Sequence, residues 1–95
     1  MVSEGGKSLT LLHRSRWDIM ASVLMVAMSG RTKTYIMRKC NLSYRQLQAY
    51  LEVLLDKGLL EVKPREFKGK LVKIFATTQR GQSFLKAYAD LKATV

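Results

Sequence analysis

The stretch Thr34-Tyr-Ile-Met-Arg-Lys-Cys-Asn-Leu-Ser-Tyr-Arg-Gln-Leu-Gln-Ala-Tyr-Leu-Glu-Val-Leu-Leu-Asp-Lys-Gly58 decides how this chain folds. Ile36, Met37 and Cys40 make a short apolar stripe at i, i+1, i+4, which Asn41-Leu42 interrupts. Ser43 then supplies a hydroxyl that accepts from an orphan backbone N–H at a helix start. Leu47, Tyr50, Leu51 and Leu54 recur at i, i+3, i+4, i+7, the spacing of one buried face. At about 100° per residue, Arg45, Gln48, Ala49 and Glu52 fall on the opposite side. A short helix, a tight turn and a longer helix with a polar outer face make a helix-turn-helix pattern, whose second helix suits a DNA major groove.

Outward from this pair the chain divides simply. Residues 1–12 contain Ser3-Glu-Gly-Gly-Lys-Ser8 and read as a flexible leader with a short strand at Leu9–Leu12. Residues 13–95 read as one domain. Ser15 caps a first helix running from Trp17 to Ser29, which Gly30 stops. The second helix runs from Thr34 to Cys40, and the third from Ser43 or Tyr44 to Lys57, stopped by Gly58. Leu59–Val62 is a strand, Lys63–Lys70 a turn-rich basic connection, and Leu71–Ala76 the returning strand. Thr78 caps a last helix from Gln79 to about Ala93, with Phe84, Leu85, Tyr88 and Leu91 at helical spacing and Gly81 as a mild cost. Three helices, a hairpin and a terminal helix give an α+β fold, a winged helix-turn-helix.

The charge balance points to a partner. The chain carries 17 Lys and Arg against 7 Asp and Glu, a net +10 in 95 residues, which favours an anionic surface, nucleic acid above all. From Arg31 to Arg45 stand Arg31, Lys33, Arg38, Lys39 and Arg45 without an acid. From Lys57 to Lys73 stand Lys57, Lys63, Arg65, Lys68, Lys70 and Lys73 against only Glu61 and Glu66. Both runs flank the outward-facing helix, so the charge is focused where a duplex would lie.

Other functions are poorly supplied. One cysteine and one histidine make neither an internal disulfide nor a metal site by standard spacing. Cys40 reads as a small core hydrophobe and His13 as an exposed structural residue. No paired carboxylates, and no nucleophile with a base, stand at catalytic spacing. Gly69-Lys70 lacks the spaced glycine and following hydroxyl of a phosphate-cradling loop. Ile19–Met28 is too short to span a bilayer. No cofactor, metal, membrane or small-molecule ligand is expected, and the thiol suits a reducing cytoplasm, with the protein on the nucleoid.

The expected contacts follow from chemistry. Ser43 and Tyr44 suit a phosphate or sugar, with partial packing as the alternative for Tyr44. Arg45 can fork onto guanine, Gln48 can pair with adenine, Ala49 can touch a thymine methyl, and Glu52 can accept from cytosine or repel a misplaced phosphate. Arg65, Lys68 and Lys70 suit the minor groove or its phosphates. Phe67, beside them, is expected to fold back onto the core, with a wedge at the groove as the alternative.

Lys33-Thr34…Ile36-Met37, the run from Asn41 to Leu55, Lys57-Gly-Leu-Leu60, and Thr77-Thr-Gln-Arg-Gly-Gln-Ser-Phe-Leu-Lys-Ala-Tyr88 resemble the small archaeal-type winged helix-turn-helix regulators. The resemblance covers most of the chain. It implies a DNA-binding fold, often dimeric, acting as a sequence-specific transcription regulator. Lys33 and Thr34 join the residues above as expected DNA contacts. Trp17, Met20, Ala21, Leu24 and Met28 form the core stripe of the first helix, while Ile19, Val23 and Val26 point elsewhere. A homodimer through those three with Leu91 is expected; the alternative is that both faces are internal. Two other functions stay open: a sequence-indifferent, chromatin-like DNA-coating protein, and a winged helix used for protein–protein contact.

Overall fold

Ser15 starts the first helix with a reciprocal cap. Its hydroxyl accepts from the Asp18 N–H at 3.1 Å, and the Asp18 carboxylate accepts from the Ser15 N–H at 3.3 Å. The structure, a computed structural model, describes residues 15–94. The expected leader, its Leu9–Leu12 strand and His13 lie outside the described residues. The elements in order are α1 (Arg16–Val26), α2 (Lys33–Cys40), α3 (Tyr44–Asp56), β1 (Leu60–Phe67), β2 (Lys70–Thr77) and α4 (Gln79–Thr94). None of these helices is long and apolar enough to cross a membrane.

Leu24, Ile36, Leu47, Leu51, Leu54, Val23 and Cys40 fill the centre, with Leu59, Leu60 and Phe75 closing it from the hairpin base. Val23 lies at 0% exposure inside the protomer, and Ile19 and Val26 are half-buried against the same core. Val23 therefore cannot face a second subunit, which corrects that part of the expectation, while Ile19 and Val26 keep some exposed surface. A helix apolar nearly all round has no facing of its own, and α2 and α4 both pack on α1 and bury that side. Trp17 and Met28, expected in the core stripe, are instead 61% and 46% exposed.

Helix α3 stops at a Schellman motif: Gly58 N–H donates to Leu55 C=O at 3.1 Å and Leu59 N–H to Leu54 C=O at 2.9 Å, with Gly58 at φ +72°. Thr78 then ties the C-terminal end of the hairpin base to that turn, its hydroxyl donating to Gly58 C=O at 2.6 Å and accepting from Gly81 N–H at 3.1 Å. A Cβ on Gly81 would collide with the Leu59 carbonyl and meet Thr77 Cγ2 at 2.6 Å. Gly81 is thus required by close approach, and the expectation of a mild helix cost misses its role.

The strands are antiparallel and run in register from Leu60↔Thr77 to Phe67↔Lys70. The basic connection expected over 63–70 is mostly strand; only Lys68 and Gly69 turn. Both have positive φ, +53° and +78°, as a two-residue hairpin of this twist demands. A third, one-residue strand is added by Arg31, which exchanges both backbone hydrogen bonds with Phe75, at 2.9 and 2.8 Å.

Candidate nucleic-acid interface

The turn between α2 and α3 sets the direction of the outward helix. Asn41 sits in the left-handed region, φ 56° and ψ 52°. Asn41 N–H donates to Arg38 C=O at 3.2 Å and Leu42 N–H to Met37 C=O at 3.0 Å, so the last turn of α2 closes without glycine. Asn tolerates this conformation better than other side-chain-bearing residues. Leu42 is buried beneath it. Ser43 opens α3 with a second reciprocal cap, accepting from Gln46 N–H at 3.1 Å while Gln46 Oε1 accepts from Ser43 N–H at 2.9 Å. With Leu47, Leu51 and Leu54 anchored in the core, the rotation of α3 is set and its polar face stands outward.

Ser43, Tyr44, Arg45, Ala49 and Glu52 are exposed on that face, and Gln48 is half-buried at its edge. Tyr44, at 61% exposure, does not pack into the core. Lys33 reaches across from α2. Its ammonium donates to Gln48 Oε1 at 2.6 Å and Tyr44 OH at 3.4 Å, and stands 4.8 Å from the Tyr44 ring centroid. Gln48 Nε2 in turn donates to Glu52 Oε2 at 3.3 Å. This chain orients the amide and uses one lone pair of Oε1 and one hydrogen of Nε2, leaving the second of each for a base edge. Arg45 makes no such contact with the described residues and is held only by its backbone.

An open cleft of about 550 Å³ lies between the start of α2, α3 and the hairpin base. Thr32, Lys33, Thr34 and Gln48 line one side, and Val62, Val72 and Lys73 the other. The expected contacts Lys33, Thr34 and Gln48 therefore meet, and Lys73 joins them from the wing. Sequence reasoning counted Lys73 only as charge. A second feature it missed is on α2: the Arg31 guanidinium lies 4.5 Å, and the Lys39 ammonium 5.8 Å, from the Tyr35 ring centroid. Its signal was present as i, i+4, i+8 spacing.

The remaining expected contacts, Arg65, Lys68 and Lys70, lie on the distal hairpin, and every residue from Glu61 to Lys70 is exposed. The register puts Lys63, Arg65, Phe67, Lys70 and Val72 on one face and Pro64, Glu66, Leu71 and Lys73 on the other. Phe67 is 59% exposed, with the Lys68 ammonium 5.4 Å from its ring centroid. It does not fold back: the two-residue turn directly after it holds it at the far end of the ribbon.

Away from this surface, α4 is fastened to α1 by Asp18, whose carboxylate accepts from Tyr88 OH and pairs with Lys92 at 3.5 Å. Hydrogen bonds from Tyr88 and Ser15 hold the Asp18 carboxyl down to about 2, and the Asp18 contact raises the Tyr88 phenol above its usual value. Trp17, Phe84 and Tyr88 stack in sequence beside it, with centroids 6.0 and 6.4 Å apart. They line an apolar groove of about 380 Å³ with Ala87 and Leu91.

Solved structures share this architecture. Sso10a-2, a DNA-binding protein from Sulfolobus solfataricus, is 21% identical, with a TM-score of 0.74 over 85% of this chain and 81% of that one. A MarR family regulator from Neisseria meningitidis is 17% identical, with a TM-score of 0.62 over 93% of this chain and 61% of its own, so the present chain spans less than two thirds of it. Lactococcus lactis ZitR, solved in complex with DNA, is 14% identical, with a TM-score of 0.53 over 87% and 65%. No curated protein matches the sequence. The profile of the winged helix-turn-helix domains matches residues 13–95, and with helix pair, wing and terminal helix all in place, the chain belongs to that family.

Proposed function

We propose that the protein binds double-stranded DNA sequence-specifically as a transcription regulator, with α3 in the major groove and the wing on the minor groove or its phosphates. One observation carries this reading: Gln48 at the edge of the α3 outer face, Lys33 and Thr34, and the wing base with Lys73 border a single cleft, in a chain of net charge +10. The solved relatives named above as DNA-binding or bound to DNA share this fold. Ser43, Tyr44, Lys33 and Thr34 then set register on the backbone, Arg45 and Ala49 read base edges, and Arg65, Lys68 and Lys70 follow the second groove. The protein acts on the nucleoid as a homodimer. Val23 being internal, the surface that suits the second copy is the groove bordered by Trp17 and Leu91, which are 61% and 67% exposed. A chain this small gains from such burial.

A second reading, sequence-indifferent coating of DNA, is favoured by the Lys33–Gln48–Glu52 chain, which partly occupies two of the base-reading side chains. Salt titrations on varied duplexes separate the two. Under the first reading Arg45→Ala costs about 1–3 kcal/mol on preferred sites and flattens discrimination there. Replacing Arg65, Lys68 and Lys70 with Gln lowers the salt slope by roughly 0.9 per lost phosphate contact on every duplex. An Arg45→Ala loss that is equal on all sequences supports coating, and a wild type that ignores duplexes at low salt overturns both.

A further inference from the structure

The hairpin carries something that charge alone does not require. Phe67 closes the ribbon at its tip, paired directly with Lys70 across the turn and 59% exposed. Lys68 stands over its ring, and Arg65, two residues back, shares its face. Glu66 is on the other face. Four residue steps, from Lys63↔Ile74 to Phe67↔Lys70, carry the ring roughly 13 Å beyond Ile74, the last buried hairpin residue. A large apolar side chain in water, ringed by cations at the end of an exposed two-stranded arm, fits one surface well: a polyanion with an apolar interior open at its edge. Stacked base pairs between two phosphate backbones are that surface. The flanking cations neutralise phosphates on either side, which offsets the cost of parting one base step.

We infer that the wing is a wedge, with Phe67 entering a base step from the minor groove and bending the duplex. DNA bending is thus a second activity of this chain, and it rests on the DNA-binding reading above. Flexible pyrimidine–purine steps are where the wedge costs least, so T·A steps are the preferred sites.

The test uses A·T-rich duplexes with 2-aminopurine beside a central TA step and a donor–acceptor dye pair at the ends, with binding followed by anisotropy in the same samples. Wild type is expected to bind, brighten the 2-aminopurine and shorten the end-to-end distance. Phe67→Ala should bind roughly five- to tenfold more weakly, as for a lost aromatic–base stack, without bending or brightening. Its salt slope should equal that of wild type, because no cation is removed. Phe67→Leu, which keeps an apolar wedge, should retain part of the bend. Binding by wild type without bending, or a Phe67→Ala that bends as wild type does, overturns the wedge and leaves DNA binding standing. Absence of wild-type binding in the anisotropy overturns both.

Discussion

At the scale of single residues, Gly81 shows how far local preference can mislead. In a helix interior, Gly→Ala usually gains up to about 1 kcal/mol. Here the added methyl collides with the Leu59 backbone, which the α3 Schellman turn and the Thr78 hydrogen bonds both hold in place. Gly81→Ala is therefore expected to destabilise the protein by about 1–3 kcal/mol, the usual effect of overpacking. Urea unfolding of the two proteins checks the sign, and a more stable variant would show that α4 can shift away. Nothing in the sequence marks this contact, because it joins residues 22 positions apart through tertiary packing. Ser15, Ser43 and Thr78 were legible for the opposite reason: a helix cap is a hydrogen bond within about one turn, and the sequence contains all of it.

At the scale of elements, the same contrast separates helices from wing. The α2–α3 pair was readable because Leu47, Leu51 and Leu54 repeat at the helical period against a buried core. The distal hairpin has solvent on both faces, so it carries no alternation of apolar and polar residues, and Pro64 further masks it as a connection. Arg65 and Phe67 were thus recognised as wing residues but not placed on one strand face. The junction of α1 with α4 was hidden too, since Asp18 and Tyr88 are 70 residues apart. Its pH response can be worked out. The Asp18 carboxyl is depressed to about 2, so its stabilising effect is complete above the ordinary carboxylate value near 3.8 and fades as pH falls toward 2. The Tyr88 phenol is raised, so its share persists below pH 10 and is lost only at more alkaline pH. Urea midpoints between pH 5 and 2 should fall for wild type and fall less steeply for Tyr88→Phe, which lacks the largest cause of the shift. Parallel curves would mean that the phenol does not hold the carboxylate in solution.

At the scale of the molecule, the proposed homodimer raises the question of how two reading heads would be held. Leu91→Glu puts a charge on the exposed border of the α1–α4 groove, where it costs the protomer little. Light scattering should show wild type as a dimer and the variant as a folded monomer, with circular dichroism unchanged. DNA affinity should drop, since two half-sites are no longer joined. A monomeric wild type, or a variant that still pairs, removes this surface from consideration. Within each protomer a different joint applies. Arg31 and Phe75 share both of their backbone hydrogen bonds, so the segment leading into α2 and the returning strand of the wing belong to one ladder. The parts proposed for successive grooves thus keep a set separation, like the jaws of a caliper. Under the proposed docking, what such a tool would measure is helical pitch: a duplex wound too tightly or too loosely offers its grooves at the wrong spacing, and supercoiling would become part of what the protein reads.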